Sequence, residues 1–499
     1  MKWILLLLVL TCSVGVQCSF GLDVPVPVLT NSITQAIGTG VTALVRTNGT
    51  FKGSVEVDTS GTIQALITIA NNVSKPMDQL LSGIMSVASA RKGNISELFG
   101  NIDKLIPDTT SAVRNASVIV GNLEGLTKTY LLAGLSTSLD SLLNGLSDLA
   151  RGWQNLTSAA NDAVNSPSPV TLQNITNFIN ASLVSNVTAP LKAVQINIMG
   201  VTAFVSTIGS ERTQAIKQQA QINTTINNAV RNVVTAEVNF NRTVKELFQR
   251  ISQQQINTFK MINQTFAPVY ARVDSFNGGN VTNMTTFLSD LAALNAYKLQ
   301  HIEDSTNYTM EEMYSLLNDQ TSLLSNTLLN ISSYITNQGV TSNTQFSTQC
   351  AQKHTPELQN LPYAKLPTCL TSELTSFRST AQFAQLLLDQ IRDATSALYA
   401  QISKLCQRTT GSCAAQLFAT FPDQLQWVQV KMFVLWSGIV NDQHIVTGRI
   451  RNCVRAATTD LIEAAQAVAE RFDSCTGKDV PIPVVQVVFV EQLAAPGRV

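Results

Sequence analysis

Fifteen asparagines of this chain stand in an Asn-x-Ser/Thr context, roughly twice the number its composition would supply by chance. Ten carry Thr in the third position: Asn48, Asn155, Asn174, Asn186, Asn223, Asn241, Asn263, Asn280, Asn283 and Asn307. Five carry Ser: Asn72, Asn94, Asn115, Asn180 and Asn330. The chemistry open to this pattern is attachment of an oligosaccharide to the side-chain amide nitrogen, at the surface of an exported chain. A second reactive set lies downstream. Cys350, Cys369, Cys406, Cys413, Cys453 and Cys475 are the cysteines beyond residue 18, and none falls within the sequon region. In an oxidising compartment such cysteines pair. The front two-thirds therefore reads as sugar-bearing and the back third as cross-linked.

Other chemistry is sparse. The histidines are His301, His354 and His444. His301 stands near Glu303 and Asp304, but Glu303, two residues away, lies on a different face of a helix. His354 falls in an expected loop beside Cys350, and His444 follows Asp442 on a helix as a structural residue. The chain has no CxxC, no H-E-x-x-H zinc helix, no G-x-S-x-G elbow, no Walker loop and no dinucleotide fingerprint. A paired-carboxylate hydrolase leaves no local signature, because its acids meet only in three dimensions. That reading ranks last, and no catalytic residue, cofactor or metal is expected.

The N-terminus reads as a leader. Lys2 precedes the apolar run Trp3 to Leu10, small residues follow, and cleavage near Cys18 or Ser19 is expected. No later apolar run reaches the roughly 20 residues of a membrane span; the nearest are Ile198 to Ile208 and Val484 to Val490. Charged residues make up 13% of the chain, and Lys+Arg balances Asp+Glu at 33 each. No basic face is present to displace counterions from phosphates, so nucleic acid is not an expected partner. A surface this poor in charge needs another source of solubility, which sugars would supply.

The elements that must carry these residues are helical. Residues 19–209 form a glycine-dotted region in which Gly83, Gly93, Gly100, Gly121, Gly125, Gly134, Gly145 and Gly152 suggest several short helices. Within it, Leu131, Leu132, Leu135, Leu139, Leu142, Leu143, Leu146 and Leu149 repeat as a buried helical stripe does. Phe51 to Val57 reads as a short strand or nothing regular. Glu211 to Ala267 and Val281 to Gln338 contain no Gly or Pro, and Gly278-Gly279 lies between them. Each run makes a helix of roughly 80 Å. Together, over residues 210–345, they form a long antiparallel, coiled-coil-like hairpin. On an unbroken helix Asn223 and Asn241 lie about five turns apart on one side, expected to face solvent.

Residues 346–478 read as a disulfide-linked bundle of three helices, beginning near Cys369, Pro422 and Arg449, and residues 479–499 as an extended tail. Cys453 and Cys475 would lie roughly 33 Å apart on one helix, beyond the about 7 Å that a disulfide spans. The up-down-up topology favours Cys369 with Cys453, Cys475 with Cys406 or Cys413, and Cys350 with the one remaining. Val484 to Val490 is strongly β-prone. It is expected to be covered, along the bundle or against Phe51 to Val57, with docking to a partner as the alternative.

Long helices with a C-terminal block containing Cys369, Cys406, Cys413, Cys453 and Cys475 resemble the TsetseEP-domain family of insect secreted proteins, over about 130 residues. The Glu-Pro repeats that name that family are absent; the tail has Val480-Pro481-Ile482-Pro483. The resemblance implies a secreted insect glycoprotein of gut or body-fluid surfaces and no catalytic mechanism. The expectation is thus an all-α, secreted, extracellular structural or interaction protein. It would engage an extracellular protein or surface without spanning a membrane, and self-association through the rod stays open. A carrier of lipid or another apolar ligand between amphipathic helices is the alternative.

Overall fold

A computed structural model of the chain describes residues 33–90, 95–166, 177–270, 281–344, 346–405, 416 and 418–477. The leader, Gly278-Gly279, Cys406, Cys413 and Val484 to Val490 lie outside them. Every regular element among the described residues is helical. A π-helical turn, Ala36–Val41, leads into α1 (Thr42–Phe51). Then follow α2 (Thr62–Ser89), α3 (Ile95–Gly121), α4 (Thr129–Val164), α5 (Ala181–Tyr270), α6 (Val281–Thr341), α7 (Ser347–His354), α8 (Lys365–Leu405) and α9 (Phe421–Thr476). Phe51 to Val57 is not a strand: it ends α1 and continues through the 3₁₀ turn Lys52–Ser54. It offers the tail no strand edge to pair with.

The chain divides into two compact units. The first takes residues up to Gln221, with Ser332–Pro356 and the stretch from Arg471. The second takes Ile222–Ile331 and Glu357–Glu470. Helices α5, α6 and α9 contribute to both units, and the remaining division falls in the 3₁₀ turn Thr355–Asn360 between α7 and α8.

In the first unit, α2, α3 and α4 pack in succession and α1 packs on α2. Helix α2 starts after Gly61, whose φ of 74° suits glycine. Its buried Ile63, Leu66, Ala70, Val73, Met77, Leu80, Ile84 and Val87 recur three or four residues apart. The leucine stripe of α4 is buried as its spacing predicts, apart from the half-buried Leu143. Gly121 ends α3 and Gly125, with φ 74°, lies in the turn before α4, but Gly83 and Gly100 lie inside helices. Gly134, Gly145 and Gly152 lie inside the 36 residues of α4. A Cβ there would meet the Phe204 ring, Val194 or the Asn186 carbonyl of α5. Gly200 of α5 answers them, 2.8 Å from Ser138 Oγ at its Cβ position. Each glycine costs about 1 kcal/mol of helix propensity, less than the about 1–3 kcal/mol of forcing a methyl into a filled seam.

Helix α5 begins 30 residues before the Gly/Pro-free run and passes through Pro190, Gly200 and Gly209. One stretch of it is long and apolar enough to cross a membrane. Its Val187, Leu191, Val194, Ile198, Val201, Val205 and Ile208 instead belong to the core of the first unit.

The second unit contains two antiparallel hairpins. Between α5 and α6, Gln255 Nε2 donates to Asn295 Oδ1 at 3.0 Å and Phe266 meets Phe287 at 5.9 Å. Between α8 and α9, Lys431 donates to Gln390, Arg449 to Glu373, and Thr380 to Asp442. These pairs fall in one register, each step forward on α8 matching a step back on α9. Contacts of α6 with α9 and of α5 with α8 run parallel, through Thr306 with Gln443 and Phe240 with Phe377. A cluster of Phe266, Phe287, Tyr399, Phe418 and Phe421 closes one end. The helices expected to start at Pro422 and Arg449 are a single helix, α9. Gly438 inside it is a packing site, its Cβ position 3.3 Å from the Phe383 ring of α8. The cysteine block therefore supplies two helices to this unit, where three were expected.

Candidate functional site

The acceptor asparagines fall into distinct environments. Asn115, Asn155, Asn180, Asn186, Asn263, Asn307 and Asn330 are exposed, on or beside helices. Asn72, Asn223, Asn241 and Asn283 are half-buried. Asn94, Asn174 and Asn280 lie outside the described residues. Asn48 departs most from the surface expectation. It is 8% exposed. Its Nδ2, the atom that would carry a sugar, donates to Asn71 Oδ1 of α2 at 2.7 Å. The expectation for Asn223 and Asn241 is also corrected. Their helix is unbroken, yet the Oδ1 atoms of both are buried, and Asn241 Nδ2 donates to the buried Glu237 at 3.3 Å. Burial raises the pKa of the Glu237 carboxyl, and the Asn241 hydrogen bond opposes that rise.

Among the described residues the cysteines form two bonds. Cys369 on α8 joins Cys453 on α9 with Cα atoms 5.7 Å apart, matching the hairpin register. Cys350 on α7 joins Cys475 at the end of α9 with Cα atoms 5.8 Å apart. This second pairing corrects the expectation of Cys406 or Cys413 for Cys475. The expected three-helix topology left α7 out, and α7 is the element that brings Cys350 to the end of α9. Cys453 and Cys475 share a helix and take separate partners, as its length demands. Bonds of this kind point to an oxidising setting.

Sequence reasoning missed a buried polar junction in the first unit. Lys128, at the start of α4, is buried and donates to Glu211 Oε1 of α5 at 3.0 Å and to Thr348 of α7. Arg212, the next residue on α5, donates to Asp58 Oδ1 at 3.0 Å. Asp58 also accepts from the Ile63 amide at 2.7 Å, which satisfies a donor in the first turn of α2. Burial alone would raise the Asp58 pKa. The Ile63 amide, the Ser60 hydroxyl and the Arg212 guanidinium outweigh it, and the pKa is lowered. The only local signal was the adjacent pair Glu211-Arg212 in a charge-poor stretch. Nearby, Tyr334 donates to Asp473 at 2.7 Å, and burial together with that carboxylate pushes its phenol up to about 12.

His301, His354 and His444 lie on α6, α7 and α9. His301 stands edge-on to Tyr297 and Trp436, with centroids 4.2 and 5.4 Å away. Lys298 Nζ lies 4.3 Å from the Trp436 centroid, a cation–π contact. Glu373 and Asp442 share the field of Arg449. The Asp442 pKa is raised by burial, lowered by Arg449 and raised again by Glu373. No group of three metal-ligating side chains converges among the described residues. No family model, curated protein or solved structure matches the chain.

Proposed function

We propose that this protein is a secreted, N-glycosylated helical molecule that acts outside the cell as a structural or interaction protein, without catalysis. The observation that carries the reading is the placement of the acceptors. Seven sequon asparagines stand exposed on or beside helices of a chain whose described cysteines are bonded in pairs. The charge-poor surface agrees with it, because sugars supply hydration that charged side chains do not. The partner would be an extracellular protein or surface. Membership of the insect family named above, and association with gut or body-fluid surfaces, belong to the same proposal.

The test is protein purified from its native source. Its intact mass should fall on enzymatic deglycosylation, it should begin after the leader, and it should show no free thiols until reduced. A sugar-free chain with reduced thiols would sink the reading. The carrier alternative has less support. Two large grooves among the described residues, of roughly 730 and 760 Å³, are open and lined by polar as well as apolar residues. Native mass spectrometry with a stoichiometric apolar ligand would restore it.

A further inference from the structure

One of the two grooves has an acceptor asparagine in its wall. In the second unit an open groove of about 730 Å³ runs between α5 and α6, within the roughly 300–1,000 Å³ of small-ligand sites. Its floor is Phe248, Ile302 and Thr306, all buried. Exposed Lys245, Gln249, Gln253 and Ile256 of α5 face Glu303 and Asn307 of α6 across it. Asn307 is the acceptor of the sequon Asn307-Tyr308-Thr309. The antiparallel register set by Gln255 and Asn295 places Asn307 at the Lys245 end, with the groove continuing from there towards Ile256.

We propose that this groove cradles the first two sugars of an N-linked glycan on Asn307. The inference rests on the glycoprotein reading above and adds a binding site to it. A pyranose has an apolar C–H face and a rim of hydroxyl and acetamido groups. The groove offers Ile256 to the first, and the amides of Gln249 and Gln253, with Lys245 and Glu303, to the second. The occupant is tethered, so its effective concentration is in the millimolar range and weak contacts hold it. Attachment uses a lipid-linked pyrophosphoryl oligosaccharide. The Asn307 amide nitrogen bonds to the anomeric carbon, that carbon's bond to the pyrophosphate oxygen breaks, and the amide proton passes to the transferase. Transfer precedes folding, because Thr309 is buried in the folded chain with its hydroxyl donated to the Ser305 carbonyl at 2.9 Å.

The experiment is site-resolved deglycosylation of the full native protein. The probe is an endoglycosidase that cleaves between the first two N-acetylglucosamines, with Asn155 and Asn330 as exposed references. Release at Asn307 should be at least about tenfold slower than at the references, the rate falling with the fraction of time the sugar is out of the groove. Denaturation should abolish the difference. Gln249→Ala/Gln253→Ala, which alters only exposed side chains, should bring Asn307 towards the reference rate in the folded protein. Equal native rates at all three sites would overturn the proposal, as would an empty Asn307 beside occupied references. A chain with no sugar at any sequon would instead overturn the glycoprotein reading itself.

Discussion

The carbonyl oxygen of Asn186 on α5 sits against Gly152 on α4, where a Cβ would have no room. Pro190, four residues further along α5, has no N–H to offer that carbonyl. Proline frees the oxygen and glycine lets the neighbouring helix approach it, so two residues that usually disfavour helices together make a helix–helix contact. Gly152→Ala should therefore destabilise the chain by about 1–2 kcal/mol, overpacking outweighing the gain in helix propensity. Gly100→Ala, with nothing within 4 Å of its Cβ position, should stabilise it. Urea melts of both variants decide the point, and a shift of both in the same direction would count against the seam.

Lys128 and Glu211 form a buried pair whose value lies in its completeness. Lys128→Met alone should cost about 3–5 kcal/mol, because it strands a carboxylate already holding one buried, unpartnered oxygen. Lys128→Met combined with Glu211→Leu should recover most of the loss. A double-mutant cycle measured by denaturant unfolding checks this; strict additivity of the two single changes would reject the coupling.

Asp58 ties acid stability to the first unit. Its folded pKa lies below the unfolded value of about 3.9. Its contribution is therefore fully present above that pH and is lost as pH falls through the folded value. Asp58→Asn should lower stability at neutral pH and flatten the decline below about pH 4. A Tm series from pH 7 to pH 2 for both proteins reads this directly, and parallel curves would contradict it.

The disulfides should appear in a non-reduced peptide map as Cys350–Cys475 and Cys369–Cys453. Removing the Cys369–Cys453 bond, which spans 84 residues, should cost about 2–4 kcal/mol. A map pairing Cys475 with Cys406 or Cys413 would contradict the fold around α7.

Asn48 should be unmodified in the folded protein, since its Nδ2 is committed to Asn71 in the α1–α2 seam. Site-by-site glycopeptide analysis should find sugar at exposed Asn115 and Asn155 and none at Asn48. Full occupancy of Asn48 in soluble, folded material would mean that this seam is wrongly described.

The sequence by itself determined that the chain is all-α, though not where each helix begins and ends. Apolar residues recurring every three or four positions fix which face of α2, α4, α5 and α9 is buried, because that period is a local property of the chain. It also placed the sequons and the cysteines, and the hairpin register brings Cys369 to Cys453. It could not determine what a glycine or proline means inside a helix. Gly152 reads as a breaker until Asn186 is seen against it. Nor could it show that Asn48 is buried, that Cys350 reaches Cys475, or that Lys128 meets Glu211 across 83 residues. Those outcomes depend on which helix face meets which neighbour. That choice is made by close packing and by the need to partner buried polar atoms, and neither is a property of any single segment.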